Sequence, residues 1–253
     1  MIEVSASAFD ILWQDLDFRC PPPPPLSVPG VGATARERDE IRETVYANLA
    51  ARGLAAGGRP DPVLRERLTE LAEARMYVEC EALPALGDET PLRAVAAIAG
   101  KRGVLAAQPS RTIGLSSLRD GEVFSSIVGL LAPWEPGPGF GISLPAEVLG
   151  ASLADPVFSA GAGAGSAACE RQLREVLAIQ ARPVSGAGQF SVRVREGSRL
   201  RRVGGVSWFR TDVGTYFGTV EPGRGGRDWV SLLPADAARV AGRLAEFAAD
   251  PRP

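Results

Sequence analysis

The chain has 253 residues, of which 28 are basic, 30 are acidic and none is histidine, so its formal net charge is −2. Its length can bury a sizeable core, and its composition, 45% hydrophobic and 23% charged, is typical of a globular protein. The balanced charge argues against a nucleic-acid binder. The lack of histidine removes the commonest general base and the commonest zinc ligand, so composition favours a function other than catalysis.

The cysteines and the N-terminus indicate the compartment. Residues 1–5 lack the basic and apolar regions of a secretory signal, and no stretch approaches the roughly 20 apolar residues that cross a bilayer. Cys20, Cys80 and Cys169 are widely spaced and odd in number, which indicates neither a disulfide framework nor a metal site. We therefore expect a cytoplasmic protein with free thiols, no cofactor and no insertion into a membrane.

The N-terminal region combines a strand, a helix and an extended connector. Residues 2–8 alternate weakly and predict a short strand, after which apolar residues recur at the spacing of an amphipathic helix. The run Pro21–Pro25 can form neither a helix nor a central strand, so we expect an extended connector. Thr34 and Glu37 have the spacing of a capping box, which predicts a helix over residues 35–51.

The rest of the first half is predicted to be mostly strands. A second helix should start at Asp61-Pro62, because proline is tolerated at the first helical position. From Met76 the apolar period changes to two, which is typical of strands. The predicted strands cover residues 76–81, 92–99, 104–108 and 112–116. A helix over about 120–131 and a linker over Pro133–Gly139 complete this half.

The second half repeats the pattern of the first. After the linker come a strand and helix over 142–149, the glycine-rich segment Gly161–Gly165 and a helix over 171–181. Further strands are predicted over 189–194, 206–211, 215–220 and 228–233, and a last helix opens at Pro234. The repeat predicts an α+β fold in which two pseudo-symmetric halves, about 1–132 and 140–250, share one central antiparallel sheet.

Three motifs could carry chemistry. Gly30–Ala35 has the glycines of a dinucleotide loop, but prolines stand where that fingerprint needs a buried strand, so the start of a helix explains it. Gly161–Ser166 lacks the lysine and hydroxyl of a phosphate loop and is predicted to be a flexible linker. Glu79 and Glu81 share one face of a predicted strand and could act as an acid–base pair, although a solvated strand face is the commoner arrangement.

Five segments of the chain stand in a distinctive order and spacing. They are Phe9–Trp13, Val28–Leu54, Gly186–Val192, Ser207–Tyr216 and Pro234–Arg239. Together they resemble the EspG family of actinobacterial type VII (ESX) secretion-associated proteins, over nearly the whole length and as a single domain, residues 1–253. The resemblance implies a central antiparallel sheet with two helical bundles in a quasi-two-fold arrangement, which agrees with the repeat.

The resemblance also implies a function. Family members are cytosolic chaperones, without enzymatic activity or cofactor, that bind secreted PE–PPE heterodimers at the apolar tip of the PPE helical hairpin and keep them soluble for export. Such a tip would otherwise self-associate, and a chaperone that must later release it suits an interface with few anchors. The expected partner is a PE–PPE-like or WXG-type helical heterodimer, and the chain is expected to be a monomer or a weak homodimer.

The family's contact surface is built from the sheet and the C-terminal helical bundle. We accordingly place the anchors in the last helix and the strands before it. They are Trp229, Val230, Arg239, Val240, Arg243 and Phe247. The loop Leu83–Pro91 is predicted to be a mobile flap at the rim of this surface.

Two rival functions stay open. The first is a nucleotide- or small-molecule-binding α+β domain that uses Gly30–Ala35, which a thermal shift with nucleotides would support. The second is a scaffold subunit that stays in a permanent complex of the secretion locus, which an obligate large oligomer would support.

Overall fold

One ten-stranded antiparallel sheet organises the protein. The computed structural model describes residues 1–147, 167–197, 199–223 and 227–250, except for the side chains of 167–169. The strands are β1 (Ile2–Ser5), β2 (Ala55–Ala56), β3 (Arg59–Pro60), β4 (Met76–Leu83), β5 (Leu92–Ala99), β6 (Arg102–Gln108), β7 (Thr112–Arg119), β8 (Ile142–Pro145), β9 (Val184–Glu196), β10 (Arg199–Thr211), β11 (Gly214–Pro222) and β12 (Asp228–Pro234). Strands β2 and β3 form a separate small hairpin.

The helices were mostly foreseen by the sequence patterns. They are α1 (Ala6–Asp15), α2 (Ala35–Ala51), α3 (Pro62–Glu73), α4 (Val123–Gly129), α5 (Ala167–Gln180) and α6 (Ala237–Ala249). Among the described residues, no helix is both long and apolar enough to span a membrane.

The strand order is symmetric about the centre of the sheet. It runs β1-β7-β6-β5-β4-β9-β10-β11-β12-β8, so each half contributes five strands and has its first strand at an outer edge. The two halves meet at the antiparallel β4–β9 pair. The predicted α+β class with a central antiparallel sheet is therefore confirmed. The division at residues 133–139 and the single domain over 1–253 stay predictions, which the symmetric order supports.

Helices cover the two faces of the sheet differently. On the face to which Tyr77 and Phe209 point, here the first face, α1–α3 pack over the first half and α5 packs over the second. On the opposite, second face, α4 and α6 cover the centre of the sheet around a core that includes Phe190 and Trp208. On the first face, no described helix packs over the middle of β9 and β10, which lie between the two helical groups.

Capping side chains set the helix boundaries that the sequence predicted. The Thr34 hydroxyl accepts a hydrogen bond from the Glu37 amide at 3.2 Å, and α2 has the predicted bounds. The Asp61 carboxylate caps α3, and the Asp236 carboxylate accepts from the Arg239 amide at 2.8 Å at the start of α6. These oxygens satisfy amides that the first turn of a helix leaves unpaired.

Some predicted elements have different bounds. The strand predicted over residues 2–8 ends at Ser5, because the Ser5 hydroxyl accepts a hydrogen bond from the Ala8 amide at 3.1 Å and starts α1. The helix predicted over 120–131 is a single 3-10 turn followed by the short α4. The helix predicted to follow β8, over residues up to 149, lies partly outside the described residues, and Gly161–Gly165 lies wholly outside them.

The predicted linker, residues 133–139, contains no helix or long strand but is tied to β11. The Thr215 amide donates to the Glu135 carbonyl at 2.6 Å, and the Gly137 amide donates to the Thr215 carbonyl at 3.0 Å. Trp134 packs against Trp208, with ring centroids 5.4 Å apart. The segment is therefore a packed crossing between the halves rather than a loose tether.

Two of the three cysteines fall within the described side chains, and both are free thiols, as predicted. Cys80 is fully buried on β4, and burial raises its pKa to about 12. Its thiol is therefore protonated and unreactive at neutral pH. The side chain of Cys169 lies outside the described part of the chain.

Candidate functional site

The pairing between β10 and β11 stops partway along both strands. It runs from Thr211–Gly214, beside the hairpin turn, to Ser207–Gly218. Beyond that point β10 remains paired with β9, and β11 remains paired with β12. Within the described residues, however, the remainder of β10 and the remainder of β11 do not pair with each other. The sheet is therefore split at this place.

A cavity of about 780 Å³ occupies the split, a size typical of ligand sites. We call it the cleft. Its walls are residues 202–205 and 207 of β10, Gly218–Pro222 of β11, Val230 of β12 and the C-terminal part of α6. A second cavity of about 430 Å³ lies beside it and is also lined by β11, β12 and α6. The two cavities share Thr219, Glu221, Arg243 and Glu246.

Glycine lets α6 pack closely at the cleft. A Cβ atom at Gly204 would overlap the Phe247 ring, so that ring lies directly on the backbone of β10. The Arg243 guanidinium lies 4.5 Å from the centroid of the same ring, which is a cation–π arrangement. Phe247 and Arg243 therefore close the cleft on the second face of the sheet.

The charge of Arg243 is neutralised inside the fold. Its guanidinium pairs with Glu221 on β11 and with Glu246, one turn further along α6, the latter at 2.5 Å. The Thr219 hydroxyl, on a residue only 3% exposed, donates to the Glu221 carboxylate at 3.3 Å. Because these charged groups already satisfy one another, an apolar ligand can approach them without leaving a bare charge behind.

On the first face, the cleft opens onto the uncovered middle of the sheet. The residues there are mostly small. They are Gln189, Ser191, Gly205, Ser207, Gly218 and Val220. Gln189 and Ser207 are exposed, and Val220 is 63% exposed. We call this surface the bare strip. The Arg202 guanidinium lies over Gly205, and elsewhere the small side chains of the strip allow another chain to come close to the sheet.

Five of the six predicted anchors lie around the cleft. Val230, Arg243 and Phe247 line it, and Arg239 lines the second cavity. Trp229 is 40% exposed and pairs with Glu221 across β11 and β12. The structure therefore brings residues from β12 and α6 to one place on the surface.

Val240 is the sixth predicted anchor, and its placement at the surface is corrected by the structure. It is fully buried in the core between α6 and the sheet. On a helix, residues four apart share a face, so Val240 points inward with Leu244 while Arg239 and Arg243 lie on another side. Val240 holds α6 in place and offers no surface to a partner.

The predicted flap, Leu83–Pro91, does not line the cleft. The Leu86 amide donates to the Ser185 carbonyl at 2.8 Å, so the loop packs against the start of β9. Gly186 at that point pairs with Arg210, towards the opposite end of β10 from the cleft. Leu86 is 49% exposed, so this loop presents a separate apolar side chain to solvent.

The sequence patterns missed the glycines of the cleft and the half-buried Glu221. Gly204, Gly205 and Gly218 sit inside strands, where a glycine often marks a close approach of another backbone. That signal was available in the sequence. Glu221 carries no such signal, because its role depends on α6 placing Arg243 above it.

Glu79 and Glu81 are held by arginines on neighbouring strands and are not a solvated face. Arg193 on β9 pairs with Glu79 at 2.7 Å, and Arg93 on β5 pairs with Glu81 at 3.2 Å. Glu79 is 8% exposed. Burial raises its pKa, and the neighbouring Arg193 opposes that rise. These carboxylates join strands across the centre of the sheet.

The glycine segment Gly30–Ala35 is filled by groups of the protein itself. The Val31 amide donates to the Asp10 carboxylate at 3.1 Å, and Arg38 donates to the Val31 carbonyl at 2.5 Å. Arg38 also pairs with Asp10 at 2.8 Å. A carboxylate occupies the place that a phosphate would need, which supports the interpretation of this segment as the start of α2.

Comparison with known proteins places this geometry in context. The model of the EspG family matches residues 5–246, and no curated protein sequence matches the chain. Among solved structures, the Mycobacterium tuberculosis type VII secretion system chaperone EspG5, in complex with a PE25–PPE41 dimer, is similar with a TM-score of 0.74. The two sequences are 15% identical over 100% of this chain and 96% of that chain, a likeness that shows a common fold.

Proposed function

The chain belongs to the EspG family, as its five segments predicted, and we propose that it is a cytoplasmic chaperone of type VII secretion that performs no catalysis and needs no cofactor. The observation that carries the proposal is the family match over residues 5–246. The shared fold with a chaperone that was solved bound to PE25–PPE41 adds support. The proposed partner is a PE–PPE-like or WXG-type secreted helical heterodimer.

The proposed contact surface is the bare strip together with the cleft. An apolar helical tip needs a surface that is close to flat, partly apolar and free of unpaired charge. The bare strip supplies small side chains and Val220, Val230 supplies apolar contact area beside it, and Phe247 closes the cleft from the second face. Trp229, at the rim, is of the residue type that most often dominates binding energies.

A chaperone must also release its substrate. Two features of the surface suit a reversible complex: its apolar anchors are few, and Arg243 is already paired within the fold. Binding therefore does not depend on a buried charge pair between the two proteins, which would be costly to break. The resulting interface would be moderate in area.

Co-purification tests the proposed function. The tagged chain would be co-expressed with the PE–PPE-like or WXG-type heterodimers of its own locus, each with an intact hairpin tip and with the tip removed. A heterodimer shortened at its opposite end serves as the matched control. Capture of the intact and control forms but not of the tipless form is expected. Equal capture of all three, or capture of none, would contradict the proposal.

The oligomeric state separates this proposal from the scaffold alternative. We propose that the purified chain is a monomer or a weak homodimer, because a chaperone must leave its binding surface open. Sedimentation velocity over a range of concentrations measures this directly. An obligate large oligomer would favour a scaffold subunit instead.

A further inference from the structure

The register of the β10–β11 hairpin identifies the residues at which the two strands stop pairing with each other. The paired residues keep one register from Thr211–Gly214 to Ser207–Gly218. The same register would next join Val206 to Thr219 and Gly205 to Val220, and within the described residues neither pair forms. Both strands stay extended there, because β9 and β12 pair with their outer edges.

Two strand edges therefore face each other across the cleft. A strand edge presents alternating N–H and C=O groups, and such edges are ready templates for another extended chain. In most sheets a gap of this kind closes by direct pairing of the two strands. Here β10 has an irregular register between Arg202 and Gly204, and such a β-bulge bends a strand away from its neighbour.

The space between the two edges is kept clear of side chains. Gly204 and Gly205 on β10 and Gly218 on β11 have none. The Phe247 ring covers Gly204 on the second face, and the Arg202 guanidinium lies over Gly205 on the first face. The cleft is thus bounded by strand edges at its sides and by flat side-chain groups near its two faces.

We propose that the cleft accepts an extended segment of the secreted partner, which adds a short β-strand between β10 and β11. An extended polypeptide is the chemistry that can satisfy two facing strand edges at once. A helix has already used its backbone groups internally, so the helical tip itself cannot make these bonds. This inference rests on the proposed function and adds a second, strand-like contact to it.

The walls also indicate which side chains the segment carries. The Phe247 ring over Gly204 and the Arg202 guanidinium over Gly205 leave little room for bulky side chains, and Val220 and Val230 offer apolar contacts. Arg243 is already paired with both Glu221 and Glu246, so it does not call for a charged side chain on the segment. The segment is therefore expected to carry small and apolar residues beside Val220, Val230 and Arg243.

Hydrogen–deuterium exchange of the full complex tests the inference. Peptides that cover residues 202–207 and 218–222 would be compared in the free chain and in the chain bound to its heterodimer. Strand addition predicts exchange at least about tenfold slower in both peptides, because new backbone hydrogen bonds form on both edges. A complex that forms without this protection overturns the inference and leaves the proposed function standing. If no complex forms, the proposed function fails, and the inference fails with it.

A blocking variant provides an independent readout. Val220→Arg places a long charged side chain at the cleft, on a residue that is already exposed, so the fold should tolerate it. Val63→Arg, on a residue of α3 that is 47% exposed, is the matched control. The expected result is at least tenfold weaker binding and loss of the exchange protection for Val220→Arg alone. Unchanged protection in the bound Val220→Arg variant would overturn the inference.

Discussion

Arg243 on α6 and Glu221 on β11 form an ion pair that lies between the two cavities and lines both of them. The pair joins the last helix to the strand that borders the cleft. Their side chains are 23% and 26% exposed, so water screens the attraction only partly. The pair therefore links two of the elements that shape the candidate binding surface.

Removal of either partner should destabilise the protein measurably. Arg243→Ala is expected to lower the free energy of unfolding by about 1–2 kcal/mol, because Glu221 loses its cation and Phe247 loses its cation–π partner. Denaturant unfolding of Arg243→Ala, Glu221→Gln and the double variant forms a double-mutant cycle. A coupling energy near zero would show that the ion pair does not hold α6 to β11.

Gly204 and Gly242 provide a matched pair of glycine substitutions. Gly204→Ala is expected to cost about 1–3 kcal/mol, because the new methyl group overlaps the Phe247 ring. Gly242→Ala, inside α6 with no neighbour within 4 Å, is expected to stabilise by about 0.5–1 kcal/mol through helix propensity. Thermal and denaturant unfolding measure both. Equal effects of the two substitutions would contradict the close packing of α6 on β10.

Glu79 predicts a pH dependence of stability with a definite sign. Burial raises its pKa in the folded state, so the folded protein holds this proton to a higher pH than the unfolded chain does. Its contribution to stability is full below the unfolded pKa and decreases as pH rises through the folded pKa. The stability of the wild type relative to Glu79→Gln should therefore fall as pH rises from the ordinary glutamate pKa, about 4.3, towards neutral pH.

Denaturant unfolding of both proteins across that pH range measures this difference. Glu81→Gln, at a more exposed position of the same strand face, serves as the control. A difference between wild type and Glu79→Gln that rises with pH would contradict the assigned direction of the pKa shift.

Trp229 and Val240 should behave in opposite ways, although both were predicted as anchors. Trp229→Ala is expected to weaken partner binding by about tenfold or more with little change in stability. Val240→Ala should lower stability by about 1–3 kcal/mol through a core cavity, with little effect on affinity at temperatures where the variant stays folded. Calorimetric binding and unfolding measurements separate the two. Loss of affinity in Val240→Ala alone would contradict the placement of the surface.

The sequence was sufficient to predict those helices and strands that depend on patterns of neighbouring residues. The bounds of α2 follow from Thr34 and Glu37, because a cap acts within one turn of the helix. The strands of each half could be predicted from the alternation of apolar and polar residues, because that alternation depends only on which face of the strand is buried. The burial of Val240 could also have been predicted from the sequence, since its four-residue spacing from Leu244 places both side chains on the buried side of α6.

The split in the sheet could not be predicted in the same way. Alternation along β10 looks the same whether a residue has two neighbouring strands or one, and only the three-dimensional register shows that pairing stops at Ser207–Gly218. The ion pair of Arg243 with Glu221 is likewise a long-range contact. The sequence therefore placed the proposed anchors on β12 and α6, while the split in the sheet beside them was found only in the structure.

The most direct measurement of the proposed function is the affinity of a Ser207→Trp variant for the cognate helical heterodimer. Ser207 is exposed in the middle of the bare strip, and a bulky ring there blocks close approach to the sheet. Ser117→Trp, at an exposed position of β7, is the matched control. Calorimetry should show binding weakened at least tenfold for Ser207→Trp and unchanged for Ser117→Trp. Wild-type affinity of a folded Ser207→Trp variant would contradict the bare strip as the chaperone's binding surface.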